Sequence, residues 1–175
     1  LRNKGMYKYF TLIAFAFLFS LQSYVIAADS TSLGTYGDWE AMYWNTEEGL
    51  VCSIISAPTK QEGKYTKRGQ VYAQISQNKG SEGIGIVSFQ AGYTFKKNIP
   101  VIVNIDSKHT FKLLLTNNQT AWADTDTEDA LLIKFMKLGT KMVVKGVSSR
   151  GTNTIDTYSL KGFIAAYKAM NKICK

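Results

Sequence analysis

The stretch from Gly139 to Cys174 does most to limit what this chain can fold into. Met142–Ser148 and Thr154–Leu160 are strand-length segments. Between them, Ser149-Arg150-Gly151-Thr152-Asn153 carries Gly and Asn, the residues that accept positive φ in a connection. The reading is a hairpin followed by a helix, with Ser159 as the expected N-cap of that helix. Within the helix Phe163, Tyr167, Met170 and Cys174 recur at helical spacing, and at about 100° per residue they share one face. The terminal cysteine therefore points where the core-facing residues point. Its one possible partner in the chain is Cys52. That residue lies in Leu50-Val51-Cys52-Ser53-Ile54-Ile55-Ser56, a short apolar run rich in β-branched residues that reads as a buried strand. A Cys52–Cys174 bond would staple the last helix to an early strand; two free buried thiols are the alternative.

Compartment bears on that choice. Arg2, Lys4 and Lys8 precede an apolar run from Phe10 to Leu21, and Val25-Ile26-Ala27-Ala28 offers small residues to a signal peptidase. Cleavage after Ala27 or Ala28 is expected, which makes residues 1–28 a signal peptide and 29–175 a single mature domain. The competing reading is a transmembrane anchor. The uninterrupted run falls short of the roughly 20 residues a spanning helix needs, so no stable membrane span is expected after cleavage. In an oxidising space two cysteines read as one disulfide. Loss of Arg2, Lys4 and Lys8 lowers the formal net charge by three, from +8 to +5. That charge favours weak contact with anionic surfaces. Nucleic acid is not an expected partner, because no basic stripe interleaves with aromatics and no reader motif occurs.

The rest of the chain reads as short strands. With 175 residues, 45% of them hydrophobic, it can bury one core. Asp29–Leu33 reads as loose and polar, and a first strand runs from Tyr36-Gly37-Asp38-Trp39 to about Trp44. Pro58–Gly69 reads as a solvated loop, with Lys60, Lys64, Lys67 and Arg68 against Glu62 alone; contact with an anionic surface is its functional alternative. Gln70–Gln77 alternates as a half-buried strand does, with Val71, Ala73 and Ile75 on one face. Ile84–Ala91, Val101–Ile105, His109–Leu115 and Thr120–Ala123 follow as strands. Thr125 and Glu128 have capping-box spacing at the start of a helix whose apolar stripe would be Leu131, Phe135 and Leu138, with Gly139 as a left-handed C-cap. About nine strands and two helices, one before the final hairpin and one C-terminal, predict a mostly β domain. Its expected form is an antiparallel β-sandwich or barrel-like body.

Little in the chain points to catalysis. The single histidine, His109, alternates with Phe111 on a strand and reads as structural. No His/Cys spacing fits zinc, and neither a phosphate loop nor a dinucleotide fingerprint occurs, so no metal or cofactor is expected. Gly146-Val147-Ser148-Ser149-Arg150-Gly151 is one residue too long for a nucleophile elbow and lies in a hairpin. Asp124, Asp126, Glu128 and Asp129 are explained by the start of a helix. Trp39, Trp44 and Trp122 read as core or edge packing. Arg150 is the exposed candidate: a guanidinium at a turn tip can clamp a carboxylate or phosphate. Its plainer role is to pair with Asp156 or with backbone carbonyls and hold the turn.

Several of these pieces together resemble the invasion-associated locus B family of exported bacterial proteins. They are Gly37-Asp38-Trp39, Cys52 in its strand, Ala91-Gly92-Tyr93, Thr120-Ala121-Trp122-Ala123, Val144 through Thr152, Asp156 through Leu160, and Gly162-Phe163. The resemblance spans Tyr36 to Cys174. It implies export in a Gram-negative bacterium, a periplasmic or outer-membrane-associated place, and a part in host-cell interaction. It brings no catalytic residues. Family members often carry a further cysteine soon after Gly-Asp-Trp, where this chain has Met42, Tyr43 and Trp44. The expected function is binding of an envelope or host protein, with Ser148, Ser149, Arg150, Gly151 and Thr152 as the contact turn. A small-ligand module with an apolar cavity between sheets is the second expectation, and an enzyme of unrecognised type the third.

Overall fold

The structure, a computed structural model, describes residues 30–80 and 85–175. The expected signal peptide and cleavage site lie outside the described residues, as does the start of the strand expected from Ile84.

Two antiparallel sheets make the body. One contains β1 (Thr31–Tyr36), β2 (Trp39–Thr46), β3 (Gly49–Ser56), β5 (Tyr72–Asn78), β6 (Ile86–Gln90), β9 (Leu115–Asn117) and β10 (Thr120–Trp122), in the order β1-β2-β3-β5-β6-β10-β9. The other contains β4 (Lys60–Gly63), β7 (Val101–Ile105), β8 (His109–Leu113), β11 (Lys141–Val147) and β12 (Asn153–Ser159), in the order β4-β12-β11-β7-β8. Helix α1 (Asp126–Leu138) precedes the β11–β12 hairpin and α2 (Phe163–Cys174) closes the chain. The arrangement is an open sandwich, not a closed barrel. Alternation drives it: Ala73 and Ile75 on β5, Val101, Val103 and Ile105 on β7, and Met142 and Val144 on β11 turn inward to one shared core.

The expectations that failed have local causes. Thr31–Tyr36 is a strand, not a loose lead-in, because it hydrogen-bonds to β2 through a bulge at Ser32/Gly34. Within Pro58–Gly69 four exposed residues pair with β12, from Thr154↔Gly63 to Thr157↔Lys60. They have no alternation to betray a strand, since both faces of β4 are wet. These short pieces raise the count from about nine strands to twelve among the described residues.

Helix α1 is capped as its sequence implies. The Thr125 hydroxyl accepts from the Glu128 N–H at 3.2 Å, and Glu128 reaches back to the Asp124 N–H at 2.9 Å. The expected stripe is the wrong face: Leu131 and Leu138 are exposed, and Asp129, Leu132, Ile133 and Met136 are buried. Both sets have helical spacing, and the second packs more apolar side chains side by side. Phe135, between the two faces, stacks on His109 at 3.7 Å between ring centroids. Gly139 is extended (φ −89°, ψ 172°), not left-handed. It is glycine because a Cβ there would meet Ile105 and Leu160. Ser159 is the last residue of β12, and the N-cap of α2 is Gly162 at φ 89°.

The staple forms as the helical spacing implies. Cys52 and Cys174 are bonded with Cα atoms 6.0 Å apart across 122 residues of sequence. Phe163, Tyr167, Met170 and Cys174 are all buried. No helix among the described residues is long and apolar enough to cross a membrane.

Candidate functional site

The Ser148–Thr152 turn is fixed by its own backbone and its neighbours. Ser148 and Thr152 exchange two bonds: the Ser148 N–H donates to the Thr152 carbonyl at 2.9 Å, and the Ser148 Oγ accepts from the Thr152 N–H at 3.0 Å. The Gly151 N–H donates to the Ser148 carbonyl at 2.8 Å, and Gly151 takes the positive φ of 85°. A segment before β7 holds the turn from outside. Ser149 N–H donates to the Thr94 carbonyl at 2.7 Å, and Lys96 N–H to the Val147 carbonyl at 2.9 Å. Arg150 takes no part in this. Among the described residues its side chain has neither ion pair nor hydrogen bond, so the role of holding the turn through Asp156 is not the one it has.

Asp156 belongs to Arg68. The guanidinium meets the carboxylate through two bonds, at 2.7 and 2.6 Å, and its Nε donates to the Ala91 carbonyl at 2.6 Å. Both side chains are almost fully buried, at 4% and 5% exposure. The rings of Tyr65 and Tyr93 lie 5.4 and 5.1 Å from the guanidinium carbon, close enough for cation–π attraction. Burial pulls the Arg68 pKa down, but the bonds and charge of Asp156 outweigh it and the net shift is upward. The Tyr93 hydroxyl is pushed up chiefly by burial, and it shares a 2.6 Å hydrogen bond with Thr154. Gly146 makes this floor possible: a Cβ there would collide with the Tyr93 hydroxyl and the Phe95 ring. Gly92 does the same one layer out, where a Cβ would meet the Gly69 backbone.

Above this floor opens a cleft of about 690 Å³ between the Lys64–Gly69 segment and the β11–β12 turn. Its cations are Lys64, Lys67, Arg68 and Arg150. Arg68 is neutralised by Asp156, whereas Lys64, Lys67 and Arg150 form no ion pair among the described residues. Of the five turn residues named from sequence, Ser148, Ser149, Arg150 and Thr152 line the cleft. Ser148 is buried and bonded within the turn, which leaves Ser149, Arg150 and Thr152 as its accessible part. A second, shallower groove of about 480 Å³ runs past Asp38, Glu40 and Tyr72.

Arg68 was missed by sequence reasoning, which grouped it with the solvated cations of its loop. The signal was on the other strand. Thr154, Asp156 and Tyr158 alternate inward on β12, and a carboxylate at an inward position requires a partner. His109 sits where expected, half-buried against Phe135. No group of three or more metal-ligating residues occurs among those described.

A family model described as invasion associated locus B (IalB) protein matches residues 39–171. The chain belongs to that family. Comparisons with curated proteins and with solved structures gave no match. Several motifs of the invasion associated locus B likeness meet at two places in the fold. Gly37-Asp38-Trp39 meets Gly162-Phe163: the Trp39 ring stands edge-on to Phe163 at 4.9 Å, and its Nε1 donates to the Ser159 carbonyl at 3.0 Å. Ala91-Gly92-Tyr93 meets the β11–β12 hairpin and Asp156 beneath the cleft. The first place locks the body together. The second builds the floor of the cleft.

Proposed function

We propose that this invasion associated locus B protein is an exported binding protein of the periplasm or outer-membrane surface. In this reading it contacts an envelope or host partner through the cleft beside Ser148–Thr152. One observation carries the reading: three unpaired cations stand around a cleft whose floor is a rigid, neutralised Arg68–Asp156 pair. A turn that served only the fold would not need Arg150, since the backbone bonds of Ser148, Gly151 and Thr152 already close it. The inter-sheet space offers less support for a ligand. Trp39, Ile54, Ile75, Phe89 and Met142 fill it at 1% exposure or below. The Cys52–Cys174 bond is in keeping with an oxidising compartment.

The test is crosslinking in the native envelope followed by recovery of the protein with its partners. Arg150→Ala should keep the wild-type melting temperature, because the side chain bonds to nothing among the described residues, and should lower partner recovery about tenfold, the worth of one charged contact of about 1.4 kcal/mol. Equal recovery from a variant that melts normally would remove the cleft from the reading.

A further inference from the structure

The lining of the cleft has a composition that narrows its ligand. Among the described residues that line it there is no Asp or Glu. There is also no Ala, Val, Leu, Ile, Met or Phe. The lining includes Lys64, Lys67 and Arg150 as unpaired cations, the hydroxyls of Thr66, Ser149 and Thr152, the amide of Gln119, and the rings of Tyr65 and Tyr93.

Each absence excludes something. Without aliphatic residues the cleft offers an acyl chain or an apolar peptide side chain only the Tyr65 and Tyr93 rings and the alkyl stems of its cations, a surface broken up by charge. Without carboxylates it repels cationic ligands, and the attraction among its own groups leaves three positive charges over. A single carboxylate would neutralise one of them; a phosphomonoester carries close to two negative charges and three acceptor oxygens. The volume of about 690 Å³ is far more than one tetrahedral anion fills and lies within the usual range for small-ligand sites. The surplus is walled by groups that both donate and accept hydrogen bonds, the environment that a hydroxyl-rich carbon skeleton needs.

We infer that the cleft binds a phosphorylated saccharide, its phosphate held by Arg150 and Lys67 and its sugar hydroxyls by Thr66, Gln119, Ser149 and Thr152. The inference rests on the proposed binding role of the cleft and names its ligand. Arg68 is not a ligand contact. Three of its five N–H donors already bond to Ala91 and Asp156 and its side chain is only 4% exposed, so its part is to hold the floor that Tyr65 and Tyr93 flank.

The disulfide-intact mature protein is titrated calorimetrically with glucose 6-phosphate, glucose, inorganic phosphate and glucuronate. Glucose 6-phosphate should bind about tenfold or more tightly than each of the others. Arg150→Ala and Lys67→Ala should each weaken it about tenfold at unchanged melting temperature, and Lys112→Ala, on β8, should leave it unchanged. A parallel arm uses vesicles bearing a phosphorylated glycolipid and vesicles of phosphatidylglycerol. Binding to the first alone, with or without binding of the free sugar phosphate, supports the inference and assigns the saccharide to a lipid headgroup. Equal binding of inorganic phosphate, of glucuronate or of phosphatidylglycerol vesicles would overturn it, as would binding of none of the probes. If none binds while partner recovery still falls with Arg150→Ala, the saccharide is wrong and the cleft remains the contact surface. If recovery is also unmoved, both readings fall.

Discussion

Asp129 stands in the first turn of α1 with its carboxylate turned into the core, where Oδ1 accepts from the Val87 N–H of β6 at 2.8 Å. That bond ties the helix to the larger sheet, but it leaves a charge with 6% exposure. Burial pushes the Asp129 pKa up to about 6, the Val87 bond pulls it back in part, and the neighbouring Asp126 and Glu128 carboxylates add to the rise. Between about pH 4, the usual value for Asp, and pH 6 the folded protein therefore holds a proton that the unfolded chain has lost. The folded state binds more protons in that window, so stability falls as pH rises through it. Asp129→Asn keeps an acceptor for Val87 and removes the charge. Relative to wild type it should gain on the order of 1–3 kcal/mol between pH 4 and pH 7, read from urea unfolding at the two pH values. A gap between the two proteins that stays constant with pH would show that the carboxylate is not charged at the cost of the fold. The contrast with Asp156 is one of partners. Both carboxylates are buried, and only Asp156 has a guanidinium.

At the scale of elements, two glycines let distant pieces of chain touch. Gly162 precedes α2 at φ 89°, and a Cβ there would run into the Tyr36 carbonyl; Gly37, at φ 60°, faces the Lys161 carbonyl in the same way. The Asp38 N–H donates to the Lys161 carbonyl at 3.0 Å, which joins the β1–β2 turn to the start of the last helix. Gly162→Ala should cost more than the roughly 1 kcal/mol of a positive-φ strain alone, since the backbone contact must open as well. Gly151→Ala has a similar φ of 85° and nothing near its Cβ, so it should show only the strain. Thermal unfolding of the pair compares them directly, and equal losses would mean that the Tyr36 contact carries no weight. This junction explains what was legible beforehand and what was not. The α2 face was readable because Phe163, Tyr167, Met170 and Cys174 make one stripe with no competitor, whereas α1 has two stripes and only the packing of β6 and β8 chooses between them. Arg150 was legible as an exposed turn residue. The pairing of Arg68 with Asp156, 88 residues away, was not, because neither segment carries any mark of the other beyond an inward-facing charge.

For the molecule as a whole, the Cys52–Cys174 bond joins the middle of the larger sheet to the last turn of the chain. Its contribution is to the unfolded state: closing a loop of 122 residues removes conformational freedom worth about 4–5 kcal/mol in the chain-entropy description. The native contacts of α2 do not depend on it to the same degree. Phe163 packs on Trp39 and stacks with Tyr167, and Phe163, Ala166 and Met170 are buried to 1% exposure or less, so most of the helix has apolar reasons to stay docked. The Arg68–Asp156 floor and the β11–β12 turn lie on other elements and are closed by their own bonds. Reduction should therefore lower the free energy of unfolding in urea by about 4–5 kcal/mol while leaving the native signal and the cleft intact at zero denaturant. Cys52→Ser with Cys174→Ser should behave as the reduced protein does. A loss below about 1 kcal/mol would mean that the unfolded chain is already held compact by other contacts. Loss of native signal on reduction alone would mean that the helix is kept in place by sulfur, and that its apolar face contributes far less than its burial implies.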